Sequence, residues 1–272
     1  MKHLRPVELF LAVGLATAVG ACGSPTPEAG EGGEASEEPT TDVAPEGGEG
    51  GEGGEGGEGG ASSGNPDVDY MTALALMKGH LMVAEELMEE GNYAEAEPHI
   101  GHPVNELYGD VEGQLSERDV PQFKDTLNEL HDLSKSAPES PEMMSQYDEA
   151  VAAIDEAIAA IADDQRQSPE FVMPVIDGLL TTAAAEYEAA IADNTFVEVV
   201  EYQDSRGFVL YAEDLYETVA NEMSQNSPED HQAIMASFED LKAAWPSVNP
   251  PEAPILEPSE VYSLVSEIEL RS

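Results

Sequence analysis

The chain has 272 residues, of which 57 are acidic and 10 basic, so its formal net charge is −47. A charge of this sign and size repels nucleic acids and anionic lipid headgroups, which excludes both as partners. It is compatible with binding of cations or basic proteins, or with a protein that works in concentrated salt. Cys22 is the only cysteine, which excludes a disulfide within the chain.

The first 21 residues have the layout of an export signal. Lys2 and Arg5 precede an apolar run from residue 7 to residue 21, which only Glu8 interrupts. A run of about fifteen apolar residues is typical of a signal peptide and is too short to span a bilayer as a stable helix. The sequence therefore predicts a signal peptide at residues 1–21.

The apolar run ends in Val19-Gly20-Ala21-Cys22, which resembles the lipobox of bacterial lipoproteins. The resemblance implies cleavage before Cys22 and lipidation of Cys22, and two or three acyl chains hold a protein stably at a membrane. The expected location is the cell envelope, facing the periplasm or the cell surface, with the outer membrane favoured because the next residue is not aspartate. The alternative is an ordinary secretory signal with an incidental cysteine.

The sequence that follows Cys22 is low in complexity and includes the run GGEGGEGGEGGEGG. It has few apolar residues to bury and its glutamates repel one another, so residues 22–66 are predicted to form a disordered, Gly/Glu-rich tether.

From Asp67 onwards, apolar residues recur with helical spacing and no sustained alternation indicates strands. Serine, proline and an acid in succession mark three helix starts, at residues 140, 168 and 227. Five prolines between Pro246 and Pro258 predict an extended crossover. The chain is therefore predicted to be all-α, with helices at about 68–90, 93–115, 119–136, 141–164, 169–193, 196–225, 228–244 and 259–270.

The two halves of the helical region resemble each other. Pairing Tyr93 with Phe196 also pairs Tyr108 with Tyr211, at one constant offset. This pattern predicts two pseudo-repeated four-helix units, although amphipathic helices also converge on similar patterns without repetition. The predicted units span residues 67–165 and 168–272.

Three histidines are expected to lie close together on the first helical hairpin. A turn near Gly91 places His80 level with His99 and His102, because all lie about eleven residues from the bend or fewer. His102 and Glu106 are four residues apart and project from the same side of a helix. Helical bundles build metal sites from histidine and glutamate at such spacings. These four residues are the predicted metal ligands.

The same residues also have simpler interpretations. His80 lies on an apolar stripe and is also typical of a core histidine. On an ideal helix, His99 and His102 lie opposite the apolar positions, as on a solvated face. Pro98 and Pro103 can kink or restart the helix and so change the direction in which these side chains project.

The segment Gly101-His102-Pro103-Val104-Asn105-Glu106 is similar to the Gly-x-His-x-x-Glu motif of imelysin-like proteins, with the histidine one place earlier and the glutamate one place later. Those proteins are duplicated four-helix domains of iron-uptake systems and outer-membrane lipoproteins. The resemblance covers about residues 67–272. It implies that His102 and Glu106 are metal ligands.

The predicted function is binding of a transition metal (iron, zinc or copper) for uptake, storage or sensing, at a membrane reached through the lipid anchor. The alternative is a non-catalytic scaffold that binds a protein partner. No signature of Ser-His-Asp or Cys-His catalysis is recognisable, so an enzyme is not expected. Ten methionines are more typical of core filling than of a copper(I) site. A weaker candidate for a cleft is formed by Tyr202, Tyr211 and Tyr216 together with Asp204 and Arg206. Packing in the core and between the two units is the preferred interpretation of these residues.

Overall fold

The computed structural model describes residues 62–272. The predicted signal peptide, the predicted lipidation site at Cys22 and nearly all of the predicted tether lie outside the described residues. The elements in chain order are α1 (Pro66–Glu89), α2 (Tyr93–His102), a π-helical turn (Pro103–Leu107), α3 (Tyr108–Glu117), α4 (Lys124–Ser136), α5 (Glu142–Ile158), α6 (Asp163–Arg166), α7 (Pro169–Ala189), β1 (Ile191–Ala192), β2 (Thr195–Phe196), α8 (Val199–Asn226), α9 (Pro228–Lys242) and α10 (Pro258–Glu269).

The all-α fold and the two four-helix units are confirmed. The first unit comprises α1, the continuous rod of α2 and α3, α4 and α5, and the second comprises α7, α8, α9 and α10. Helices α1, α7 and α8 pack against one another and join both units into one compact body. Their buried side chains include large tyrosines such as Tyr70 and Tyr202, whose hydroxyls donate hydrogen bonds to backbone carbonyls. None of the helices in residues 62–272 combines the length and the apolar character that crossing a membrane requires.

The helical boundaries differ from the prediction in three places. Helix α4 begins at Lys124 rather than near residue 119, and the helix predicted at 141–164 is divided into α5 and the short α6. The third difference is a hairpin between α7 and α8. β1 and β2 pair antiparallel where the sequence predicts the end of one helix and the start of another. The two residues between them, Asp193 and Asn194, both have positive φ, as in the tight turn that suits a two-residue hairpin. Strands of two residues are too short to show an alternating pattern, so the sequence gives no signal for them.

The predicted serine caps are present only in part. Ser168 and Ser227 occupy the N-cap positions of α7 and α9, and proline follows each of them, but neither serine side chain accepts a hydrogen bond from the helix backbone. Helix α5 begins at Glu142 and has Pro141 as its N-cap. In these helices the fixed φ of proline, rather than a serine side chain, marks the start.

The sequence predicts one regular helix where the structure has α2, a π-helical turn and α3. Pro103 begins this turn and lacks the backbone N–H that a continuous α-helix would use. Single π-helical turns are often found at functional sites, because they change the direction in which neighbouring side chains project. Here the turn follows His102 immediately.

Two glycines allow α1 and α8 to approach closely where they cross. A Cβ atom added to Gly207 would lie 2.3 Å from the carbonyl oxygen of Gly79 and 2.8 Å from Val83 Cγ2. Only glycine fits such an approach of two backbones. The crossing lies next to His80 on α1 and Phe208 on α8.

Asp177 on α7 is expected to destabilise the fold at neutral pH. Burial raises the pKa of its carboxyl to about 6, with a further contribution from Glu269 and an opposing hydrogen bond from Ser272. Between about pH 4 and 6 the folded chain therefore holds a proton that the unfolded chain lacks, so stability falls as the pH rises. Asp177→Asn should raise the free energy of unfolding at pH 7 by about 1–2 kcal/mol, allowing for the solvent that reaches this half-buried group. Denaturant titrations at pH 7 and pH 4 check this, because the gain should vanish near pH 4.

Candidate metal centre

Four side chains from three helices meet in the interior beside the glycine crossing. They are His80 of α1, His99 and His102 of α2, and Asp204 of α8, and together they are called the His–Asp cluster below. One ligand atom from each residue lies within 4.8 Å of the ligand atoms of the other three. Among residues 62–272 this is the one group of three or more such side chains that could hold a metal ion.

Three of the four side chains in the cluster are fully buried, and the fourth is partly exposed. The side chains of His80, His99 and Asp204 are fully buried, whereas the side chain of His102 is 17% exposed. His102 is therefore the member of the cluster nearest to solvent, and it immediately precedes the π-helical turn.

The carboxylate of Asp204 is the centre of the cluster. Its Oδ1 lies 2.6 Å from Nδ1 of His80 and 2.6 Å from Nδ1 of His99. Its Oδ2 lies 3.3 Å from Nδ1 of His102, which is itself 3.4 Å from Nδ1 of His80. All three histidines thus present the same ring nitrogen, Nδ1, to the centre.

The charge on Asp204 is maintained by the histidines. Burial by itself raises the pKa of this carboxyl, but the attraction of His80 and His99 and the close contacts of His102 and His80 outweigh burial. The net effect holds the pKa of Asp204 well below its usual range. The carboxylate of Asp204 is therefore negatively charged at neutral pH, which suits a cation.

Two buried polar atoms at the cluster make no hydrogen bond. They are Oδ2 of Asp204 and Nε2 of Gln203, the adjacent residue on α8. Such atoms are rare in folded proteins, and each calls for an explanation. A cation bound at the centre would supply a partner for Oδ2 of Asp204, because carboxylate oxygens ligate transition metals.

The donor set fits a borderline divalent transition metal. Imidazole nitrogen with carboxylate oxygen suits iron, zinc, copper(II) or nickel, and the cluster contains no sulfur ligand of the kind that copper(I) prefers. Ligands about 2.0–2.1 Å from a tetrahedral ion are separated from one another by about 3.3 Å. The contacts of His102 at 3.3 and 3.4 Å match this spacing, and the two contacts at 2.6 Å would open slightly around an ion.

Contacts around the cluster hold α8 against α1. The guanidinium of Arg206 makes two hydrogen bonds to the carboxylate of Glu86, at 3.1 and 2.9 Å. Arg206 also donates to the backbone carbonyl of Trp245. The ring of Phe208 packs edge-on against His80, with 4.9 Å between ring centroids. These contacts position Asp204 from the second unit against ligands of the first.

The structure brings three of the four sequence-predicted ligands together and places the fourth apart. Glu106 lies outside the His–Asp cluster: its Oε1 is 3.9 Å from Nε2 of His102, the ring nitrogen that faces away from the centre. His99 is fully buried, which is contrary to the solvated face expected for an ideal helix. The reason is that α8 packs against this side of α2, where Gln203 and Asp204 contact His99.

Asp204 is the residue that the sequence analysis did not select as a ligand. It lies on the buried side of α8, where Phe208 and Ala212 follow at intervals of four residues. A charged residue at an apolar position of a long helix is the signal that singles it out.

The remaining described histidines belong to other contacts. His131 Nε2 lies 2.7 Å from Glu97 Oε1, and His231 Nδ1 lies 2.8 Å from the hydroxyl of Tyr216.

Comparison with protein-family models shows that residues 162–272 are similar to the iron permease-associated 4-helix bundle domain. The match covers less than half of the chain, extends from just before α6 to the end, and includes Asp204 but none of the three histidines. No curated protein and no solved structure matches the chain.

Proposed function

We propose that this chain is a non-catalytic protein that binds one divalent transition-metal ion at the His–Asp cluster and serves metal uptake at the cell envelope. The single observation that carries this proposal is the convergence of His80, His99 and His102 on the buried carboxylate of Asp204. A protein interior seldom holds three imidazoles and a carboxylate at such distances without an ion or a proton between them.

Ferrous iron is the proposed cargo. The similarity of residues 162–272 to an iron permease-associated domain supports iron, and three imidazoles with one carboxylate suit its divalent form. Zinc and copper(II) have the same ligand preferences and are the alternatives that a titration separates. One cluster in residues 62–272 suits delivery or sensing of single ions better than bulk storage.

The proposed setting is the outer face of a membrane, with a permease as partner. The similarity to a permease-associated domain supports such a partner. The lipobox-like sequence ending at Cys22 supports attachment by a lipid anchor. Residues 22–66 would then be the tether that lets the helical domain extend away from the membrane. The likeness of residues 101–106 to the imelysin motif supports iron binding through His102 only, because Glu106 lies outside the His–Asp cluster.

The test is equilibrium dialysis of the full chain against ferrous iron without oxygen, and against zinc, in molar salt. Molar salt screens the loose binding of cations to surface carboxylates. Wild type should bind one ion per chain, and His102→Ala should lose at least 10-fold in affinity. Binding should weaken as the pH falls through about 6, because a histidine ligates only when it is neutral.

His231→Ala is the matched control, because His231 contacts Tyr216 and lies outside the cluster. It should bind like wild type. Equal metal binding by wild type and His102→Ala would instead show that the histidines only pack in the core, and it would favour the non-catalytic scaffold.

A further inference from the structure

Gln203 contacts His99 on the side of the ring that faces away from the cluster. This residue precedes Asp204 on α8 and is 1% exposed. Its Oε1 lies 2.9 Å from Nε2 of His99, the ring nitrogen that faces away from the cluster. An amide oxygen only accepts hydrogen bonds, so Nε2 of His99 carries the hydrogen and donates it.

This hydrogen bond determines which nitrogen of His99 can ligate a metal. A neutral imidazole has one N–H, and placing it on Nε2 leaves a lone pair on Nδ1. Nδ1 of His99 faces the centre, 2.6 Å from Oδ1 of Asp204. Two acceptor atoms so close repel each other unless a cation or a proton lies between them. The contact with Gln203 therefore prepares His99 to bind a cation through Nδ1.

The nitrogen of the Gln203 amide indicates that fold stability alone does not explain a glutamine at this position. Its Nε2 is buried and makes no hydrogen bond. A buried donor without a partner costs free energy, and an apolar side chain of similar size would avoid that cost. A glutamine that only stabilised the fold would be expected to satisfy both ends of its amide.

The neutrality of the amide has a second consequence. Metal-bound histidines commonly donate their outer N–H to a carboxylate, which makes the imidazole a stronger ligand. An amide orients the ring in the same way but adds no negative charge. A cluster with Gln203 should therefore hold its ion less tightly than one with glutamate, and moderate affinity suits a protein that passes its ion on.

We propose that Gln203 is a positioning residue, which fixes His99 for ligation through Nδ1 and keeps the metal affinity of the cluster moderate. This inference rests on the proposed function, because it assumes that the His–Asp cluster binds a metal.

The experiment is a titration of the full chain with cobalt(II), followed by visible absorption and by competition with zinc. Gln203→Leu removes the acceptor and should weaken binding by about 10- to 100-fold, the usual effect of losing such a contact. Its thermal midpoint without metal should stay close to that of wild type, because the variant removes the unpartnered amide nitrogen of Gln203 but leaves the Nε2–H of His99 without its acceptor. Gln203→Glu restores the acceptor and should bind at least as tightly as wild type, with similar cobalt absorption bands.

Ser237→Ala serves as the matched control, because Ser237 is a buried polar residue on α9 that lies outside the cluster. It should leave the metal affinity unchanged. Wild-type affinity in Gln203→Leu, or weaker binding in Gln203→Glu, would overturn the role of Gln203 while one ion per wild-type chain upholds the proposed function. Failure of wild type to bind stoichiometrically would overturn the proposed function, and this inference with it.

Discussion

Asp204→Ala is expected to abolish stoichiometric metal binding and to lower the free energy of unfolding of the metal-free chain by about 3–5 kcal/mol. Asp204 is fully buried and accepts the close contacts of His80 and His99. Without the carboxylate, the two imidazoles lose their shared partner inside the protein, which costs more than losing a surface ion pair. Dialysis with zinc and denaturant unfolding of the same preparations measure the two effects.

Asp204→Asn separates charge from shape at the same position. It keeps the size of the side chain, so its loss of stability should be smaller than that of the alanine variant, while its loss of metal affinity should be similar. Asp240→Ala, on the exposed side of α9, is the control and should change neither quantity. Retention of the wild-type metal stoichiometry by both Asp204 variants would place the ion elsewhere in the protein.

Gly207→Ala is expected to destabilise the fold by about 3 kcal/mol and to weaken metal binding, although it adds a single methyl group. The new Cβ would lie 2.3 Å from the carbonyl oxygen of Gly79. The backbone of a helix cannot move out of the way by a rotamer change, as a flexible side chain can. Helices α1 and α8 must therefore separate at the crossing. Because Asp204 lies one helical turn before Gly207, this separation also withdraws the carboxylate from His80.

Gly113→Ala provides the matched comparison on α3. No atom lies within 4 Å of a Cβ built at Gly113, so the substitution should leave metal binding unchanged and add up to about 1 kcal/mol of stability from helix propensity. Unfolding in denaturant and zinc affinity are measured for both variants. Equal stability of the two would show that the crossing relaxes at little cost.

The helical organisation could be predicted from the sequence because it depends on local patterns. Apolar spacing and proline positions give the eight principal helices to within a few residues at most of their ends. The proximity of His80 to His99 and His102 also follows from local geometry, since a short turn joins α1 to α2.

The rest of the site depends on packing between distant parts of the chain. Asp204 is 124 residues from His80, and no spacing rule connects the two positions. The buried state of His99 depends on α8 covering α2. The π-helical turn after His102 separates Glu106 from the cluster, and proline indicates a disturbance of the helix without indicating its form.

The most direct test of the central claim is a crystal structure of the chain grown with zinc, in which anomalous scattering locates the ion. The account predicts one strong site with the ion about 2.0–2.2 Å from Nδ1 of His80, His99 and His102 and from the carboxylate of Asp204. Anomalous density confined to surface carboxylates, with none at the cluster, would contradict it.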